Sequence, residues 1–334
     1  MEDRMLLPCN EVKKKIENAT SITILSHIRP DTDALGTALG IYALLTAHYK
    51  EKKMEVVNAS KALPGHLNFL PYFSKIKHKI DYKESLIISC DCGSEDRLGF
   101  DLKGREIINI DHHQSNTFYG SINAVVPEYA SSSQVAFELL KANYQITKES
   151  ATAFYAALLS DTRFFATSSV NSEVFSVAKE LVDLGANPAE VSRHFTQKRP
   201  LSSLRILQKA LGSLTLYQEA KIAVLFVTKE DIVQSGATVP DMEGIVDYAK
   251  SLVTVEVAFF VMEMEDGLRI SLRSKAYDVS KIAQDFGGGG HRVAAGFTLE
   301  HKDNSHLQES IDIILQKITE TIIESNEKRD QYEK

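Results

Sequence analysis

The chain is poor in cysteine, has no hydrophobic run long enough to cross a membrane and carries no excess of positive charge. Each shortage closes off a class of protein. Its 334 residues hold three cysteines, Cys9, Cys90 and Cys92, too few for a disulfide framework and in keeping with a reducing compartment. No apolar stretch reaches the roughly 18 to 20 residues that a transmembrane helix needs, so no membrane partner is expected. The opening MEDRMLLPCNEVKKK lacks the positive, apolar and small-residue order of a secretion signal, and the cytoplasm is the expected location. Lysine and arginine number 38 against 45 acidic residues, a net charge of −7. That balance argues against a protein that coats long nucleic acid by counterion release, and leaves open a short or monomeric anionic substrate. Beyond one run of glycines there is no internal repeat or low-complexity tract.

What is present is ample material for a core. With 43% hydrophobic and 25% charged residues, a chain of this length is expected to form two domains. The first half alternates short β-branched runs, SITILS, MEVVN, SLIISC, REIINI and INAVV, with helical patterns such as Ala34 to His48, where Leu35, Leu39 and Tyr42 share a face. That alternation predicts an α/β domain with a parallel sheet, whose ligands bind beyond the carboxyl ends of the strands. The pattern then turns helical, through SSSQVAFELLKA, KESATAFYAALLSDT and NSEVFSVAKELVDLGAN. Gly185, Asn187 and Pro188 mark a stop, and Lys198, Arg199 and Pro200 lie in the next polar break. The expected division is therefore 1–187, a linker or bridging helix over 188–212, and a second domain over 213–334. In that domain strands are expected over Ile222 to Thr228, Val253 to Met264 and Leu268 to Arg273, then a helix from Val279 to Asp285, four glycines, and a final helix from Leu307 to Asp330.

The chemistry concentrates in SHIRPDTDALG and INIDHHQSN. They supply His27, Asp31, Asp33, Asp111, His112 and His113, each just after an apolar run. Carboxylate oxygens mixed with imidazole nitrogens, without thiolate, suit Mn²⁺ or Mg²⁺ more than a structural zinc. Asp31 and Asp33 precede a helix expected to begin near Ala34, where a turn can aim both at one cavity and the helix N-terminus favours anions. D-x-D alone reads more readily as a cap of that helix; His27, at a strand end four residues earlier, turns the reading towards a metal. Asp91 follows LIISC and opens into Cys92-Gly93-Ser94, where a carboxylate can bridge two ions about 3.5 to 4 Å apart. Cys90 and Cys92 alternate with it and read as core. In Asp111-His112-His113 the adjacent imidazoles cannot point the same way in an extended chain. One can ligate while the other faces substrate, and Asp111 can ligate or orient an imidazole. Asp161 ends an apolar helix, where an unpaired carboxylate is expensive and a cation is the economical partner. In the second domain, Gly287 to Gly290 let backbone N–H groups approach a phosphate, and Arg273 beside them is a candidate phosphate fork.

These residues resemble a known family. H-x-x-P-D-x-D-A-x-G from His27 to Gly36, D-C-G from Asp91, D-H-H from Asp111 and S-D-T from Ser160 to Thr162 resemble the four motifs of DHH phosphoesterases. GGGGHRVAAGF, Gly287 to Phe297, resembles the glycine-rich signature of their associated C-terminal domain. Length and two-domain plan resemble the branch that hydrolyses short oligoribonucleotides to mononucleotides and 3′-phosphoadenosine 5′-phosphate (pAp) to AMP. The resemblance implies an N-terminal parallel-sheet domain, a smaller C-terminal α/β domain and an active site in the cleft between them. It implies two Mn²⁺ per chain, with Mg²⁺ as a substitute: His27, Asp31 and Asp91 at one, and Asp33, Asp91, His112 and Asp161 at the other. It makes His113 the group that meets the scissile phosphate, with Asp111 behind it, and gives Arg273, Gly288, Gly289, Gly290 and His291 to the substrate's far end. Gln134 in ASSSQ stands where many relatives carry an acidic residue, and Ser131 to Ser133 read as a helix cap. A homodimer is allowed. The competing readings are a hydrolase of linear dinucleotides, a manganese pyrophosphatase, and a nucleic-acid-binding module without catalysis. The GGGGH signature speaks against the pyrophosphatase and the full ligand set against the inactive module, since so many crowded acids without a cation would repel one another.

Overall fold

A computed structural model describes residues 7–197, 199–300 and 307–332, with the side chains of His291 and of 324–332 outside the description. Lys198 of the polar break therefore lies outside the described residues. The chain divides into two compact units, Met1–Lys198 and Arg199–Lys334. The break falls inside the segment expected to bridge them. No helix among the described residues is long and apolar enough to cross a membrane.

In the first unit the β-branched runs become strands β1 (Ser21–Ser26), β2 (Lys53–Val57), β3 (Ile76–Lys77), β4 (Leu86–Cys90), β5 (Ile107–Asp111) and β6 (Ile122–Val125). They form one sheet in the order β3-β2-β1-β4-β5-β6, parallel at every pairing. Helices α1 (Cys9–Asn18), α2 (Thr32–His48), α3 (Ser132–Lys141), α4 (Lys148–Asp161), α5 (Ser172–Asp183) and α6 (Pro188–Thr196) complete the unit. The strand order reverses between β1 and β4, the switch point where open α/β sheets leave a crevice for ligands. Only β3 was not legible as a strand, being two residues long.

The helices are placed by small residues. A Cβ on Gly36 would lie 2.8 Å from the Ala153 carbonyl and from Ala157 Cβ, and one on Gly40 would enter the Phe154 ring. Both glycines meet the middle of α4, between Ala153 and Ala157, and Asp33 and Asp161 lie in one donor group, so α2 and α4 run antiparallel in close approach. The N-terminus of α2, with Asp31 and Asp33, is thereby brought beside the C-terminus of α4, with Asp161.

The second unit starts with α7 (Leu201–Gly212) and contains β7 (Thr215–Tyr217), β8 (Ile222–Val227), α8 (Lys229–Ser235), α9 (Ile245–Lys250), β9 (Val257–Met264), β10 (Gly267–Ser274), α10 (Val279–Asp285), β11 (Gly289–His291), β12 (Ala294–Glu300) and α11 (Leu307–Tyr332). Its sheet order is β11-β12-β10-β9-β8-β7. All pairings are antiparallel except β8 with β9. Separate apolar clusters fill its two faces, one including Ile282, Ile314 and Ile318, the other Ile206, Ile245 and Val246. The segment expected to run as a loop from Gly288 to His291 is instead mostly strand. It pairs Gly289 with Gly296 and His291 with Ala294, leaving Arg292 and Val293 as the turn.

Candidate metal centre

The acids and imidazoles of the first unit converge beyond the carboxyl ends of β1, β4 and β5. His27 follows β1, Asp91 follows β4, Asp111 ends β5, and Asp161 ends α4. His27 Nε2 lies 3.6 Å from Asp91 Oδ2 and 4.0 Å from Asp31 Oδ1. His112 Nε2 lies 3.5 Å from Asp161 Oδ2, 3.7 Å from Asp91 Oδ1 and 3.9 Å from Asp33 Oδ2. Two sets of donors, His27/Asp31/Asp91 and Asp33/His112/Asp161, each have their atoms within 4.8 Å of one another. Asp91 faces both, one oxygen towards each histidine.

The tautomers follow from the hydrogen bonds. A carbonyl oxygen only accepts, so His27 Nδ1 must donate to Ile28 O at 2.8 Å and His112 Nδ1 to Tyr129 O at 3.2 Å. Each therefore turns Nε2 towards the carboxylates, where once deprotonated it can offer a lone pair to a cation, the arrangement typical of metal-ligating histidines. His113 is bound differently: its Nδ1 donates to Asp111 Oδ1 at 2.7 Å. It can also be grouped with Asp91 and His112, but the nitrogen nearest Asp91, at 3.6 Å, is the one Asp111 engages. Asp111 is fully buried and also accepts from Asn116 Nδ2 at 2.5 Å.

The backbone carries strain here. Asp91 adopts φ 55°, a left-handed conformation unusual for a non-glycine residue and costing on the order of 1–3 kcal/mol. Its N–H still donates to Ile110 O at 3.0 Å. The kink breaks strand alternation, so Cys90 and Cys92 do not share a face as expected. Both are buried, Cys90 in the main core and Cys92 in the cluster with Leu25 and Leu98. Asp31 caps α2, accepting from Ala34 N at 3.0 Å, while lying near His27. Capping and ligation are thus compatible readings of D-x-D.

Electrostatics favour a cation. Burial first, then the charges of Asp91, Asp161 and Asp31, pushes the Asp33 carboxyl well above its ordinary range. Burial likewise raises Asp161 to about 6, against the opposing pull of His112. Asp91 goes the other way: burial would raise it, but His27, His113 and His112 together hold it below the usual carboxylate range. His113 is pushed up to about 9 because its bond to Asp111 and the Asp91 charge outweigh burial. Mixed oxygen and nitrogen donors, two imidazoles held through Nδ1 and buried acids crowded against one another make a donor set suited to a hard or borderline divalent ion.

One contributor was not legible as part of a site. The N-terminus of α3 grips Asp33: Ser132 N donates to its Oδ2 at 2.6 Å and Ser133 N to its Oδ1 at 3.1 Å. Ser132 Oγ lies 2.9 Å from Asp91 Oδ1 and 3.3 Å from Asp111 Oδ1. The serine run in ASSSQ was the available signal, and it reads equally as a cap. Gln134 closes that cap, its Oε1 accepting from Ala130 N at 2.9 Å while its N donates to Ser131 Oγ. An amide oxygen does there what an acid would.

The second unit's candidates look different. Arg273, on β10, is partly buried, with Nε 3.7 Å from Asp247 Oδ1 and Nη1 donating to Leu272 O. Three of the four glycines have architectural reasons to be glycine. Gly287 has φ 76° and donates to Gln284 O at the end of α10. Gly288 donates to Ala283 O, which removes its N–H from the donors offered to a phosphate, and a Cβ there would lie 2.3 Å from Gly296 O. Gly290 has φ 144°, and its Cβ would lie 2.6 Å from Ala294 O. Gly289 alone has both open space around its Cβ position and no left-handed φ. His291 is in β11, its side chain outside the description.

The fold and this geometry agree with what the chain is similar to. The DHH family, N-terminal domain, matches residues 21–159, and the DHHA1 domain matches residues 219–324. The bifunctional oligoribonuclease and PAP phosphatase NrnA of Thermus thermophilus is 30% identical over 317 residues, 93% of each chain. The protein of the same name from Bacillus subtilis is 23% identical over 88% of this chain and 94% of its own. A crystal structure of an exopolyphosphatase-related protein from Bacteroides fragilis matches with a TM-score of 0.85 and 26% identity, covering 94% of this chain and 96% of that one.

Proposed function

The chain belongs to the DHH family, with a DHH N-terminal domain followed by a DHHA1 domain, and on that premise we propose that it is a phosphoesterase acting on short RNA and on pAp. Short oligoribonucleotides would be cut to mononucleotides, and pAp would lose its 3′-phosphate to give AMP. The observation that carries the reading is Asp91, one carboxylate facing two histidines that are held through Nδ1 and turn Nε2 towards it. The relatives named oligoribonuclease and PAP phosphatase, alike over nearly the whole chain, support the choice of substrate.

His27, Asp31 and Asp91 would hold one divalent ion, and Asp33, Asp91, His112 and Asp161 a second, with Mn²⁺ the favoured metal and Mg²⁺ a substitute. Bound divalent ions supply Lewis acidity and a nucleophile available at neutral pH. His113 would do the rest near phosphorus. Its Nδ1–H donates to Asp111, so Nε2 is the nitrogen left for a phosphate oxygen, and the Asp111 bond that raises its pKa favours the protonated ring, which can donate there as negative charge develops. Asp111 thus fixes the direction of that donor and balances its charge. The second domain, 213–334, would hold the far phosphate or nucleotide through Arg273 and the backbone around Gly289, Gly290 and His291.

Product analysis with Mn²⁺ across pAp, pyrophosphate and RNA of graded length tests this. The expected kcat/KM is highest for pAp and about two to four nucleotides and falls beyond about ten, because further phosphates meet a net negative chain without an evident basic track. Equal or better cleavage of twenty-nucleotide RNA, or pyrophosphate as the preferred substrate, would overturn it.

A further inference from the structure

Ser132 lies outside every acid and imidazole motif of the chain, yet it reaches three of their carboxylates. Its N–H bonds Asp33, and its hydroxyl lies within hydrogen-bond distance of Asp91 and of Asp111. It is fully buried, which fixes the side chain where it is. Capping does not explain it: Ser131 supplies the oxygen that caps α3, accepting from Gln134 N. Ser132 is the next residue, and its hydroxyl is pointed at acids instead.

A serine hydroxyl has one proton, and an ionised carboxylate only accepts. The proton therefore goes mainly to the nearer oxygen, Asp91 Oδ1 at 2.9 Å, with Asp111 at 3.3 Å as the weaker alternative. Asp91 needs such a restraint. Its backbone is already in a left-handed conformation, and its function depends on sending Oδ2 towards His27 and Oδ1 towards His112. Rotation of that carboxylate would leave one donor set without its shared member.

We propose that Ser132 is a positioning residue of the metal centre, whose hydroxyl orients the carboxylate of Asp91 between the two donor sets. The inference rests on the metal-dependent reading above and deepens it. Partners that orient a ligand in this way typically change metal affinity by about 10- to 100-fold when removed. The cap, the Asp33 bonds from backbone N–H groups and the helix itself do not need the hydroxyl.

The experiment is calorimetric titration of the metal-free protein with Mn²⁺, for the parent, Ser132→Ala and Ser132→Thr, with thermal unfolding of each metal-free protein alongside. Ser132→Ala is expected to bind Mn²⁺ about 10- to 100-fold more weakly while staying folded, with a single cooperative unfolding transition like the parent's, and Ser132→Thr, which keeps the hydroxyl, to bind nearer to the parent. Ser132→Ala binding Mn²⁺ as tightly as the parent overturns the proposal. So does a loss of binding in Ser132→Thr as large as in Ser132→Ala, which would assign the effect to packing. A parent that takes up no Mn²⁺ removes the metal-dependent reading itself, a result distinct from either.

Discussion

The acid and imidazole cluster of the first unit and the glycine run of the second are both conspicuous in the sequence, but they mean different things once folded. Every charged member of the cluster is close to others that make sense only together: two imidazole Nε2 atoms turned to one carboxylate, and acids whose ionisation burial makes costly. The glycines mostly answer to their neighbours in the fold, a helix end at Gly287 and the approach of β12 at Gly288 and Gly290. Buried charge demands partners, so a polar motif constrains chemistry strongly. A missing side chain leaves room for a ligand or for a strand, and only geometry separates the two.

The sharpest way to break the comparison is within the adjacent histidine pair. His113→Ala is expected to keep its metals and lower kcat by about 10² to 10³, the usual loss on removing one charge-stabilising donor. His112→Ala should instead lose metal, seen by metal analysis after dialysis. Metal loss in the His113 variant and not in the His112 variant would reverse the roles that the tautomers assign.

A smaller effect sharpens the other side. Gly290→Ala places a Cβ against the Ala294 carbonyl at a positive φ and should destabilise the protein by roughly 1–3 kcal/mol in denaturant unfolding. Gly289→Ala, facing open space, should cost no more than about 0.5 kcal/mol and act on substrate binding if on anything. Equal stability losses at the two positions would show that the glycines are not divided as described.

Much of this was legible before folding. The five β-branched runs form the long strands of the first sheet because burial on both faces selects such residues, and the polar motifs fall at their ends. What was hidden depends on distance along the chain. Ser132 meets Asp33 and Asp91 from 99 and 41 residues away, and nothing local distinguishes it from a cap. Cys92 left its expected face because Asp91 takes a left-handed turn, which aspartate tolerates better than most residues but which the apolar run before it does not call for. β11 was hidden because glycines favour loops, and its strand state comes from pairing with β12. The helix expected near Ala34 begins at Thr32 because Asp31, read as a ligand, is also the cap.

The central claim is that Asp91 joins two metal positions, and Mn²⁺ titration of the parent and of Asp91→Ala, at about pH 7.5 and about pH 5, tests it most directly. Asp161 holds its proton to about 6 in the metal-free fold, above its ordinary value. There the native state binds more protons than the unfolded chain, so metal-free stability declines as pH rises through that value. Metal uptake must displace the proton. The parent is therefore expected to bind two Mn²⁺ per chain near pH 7.5, to bind about tenfold more weakly and with proton release near pH 5, and to lose both ions with the Asp91 carboxylate. One ion in the parent, or two ions retained in Asp91→Ala, would contradict the account.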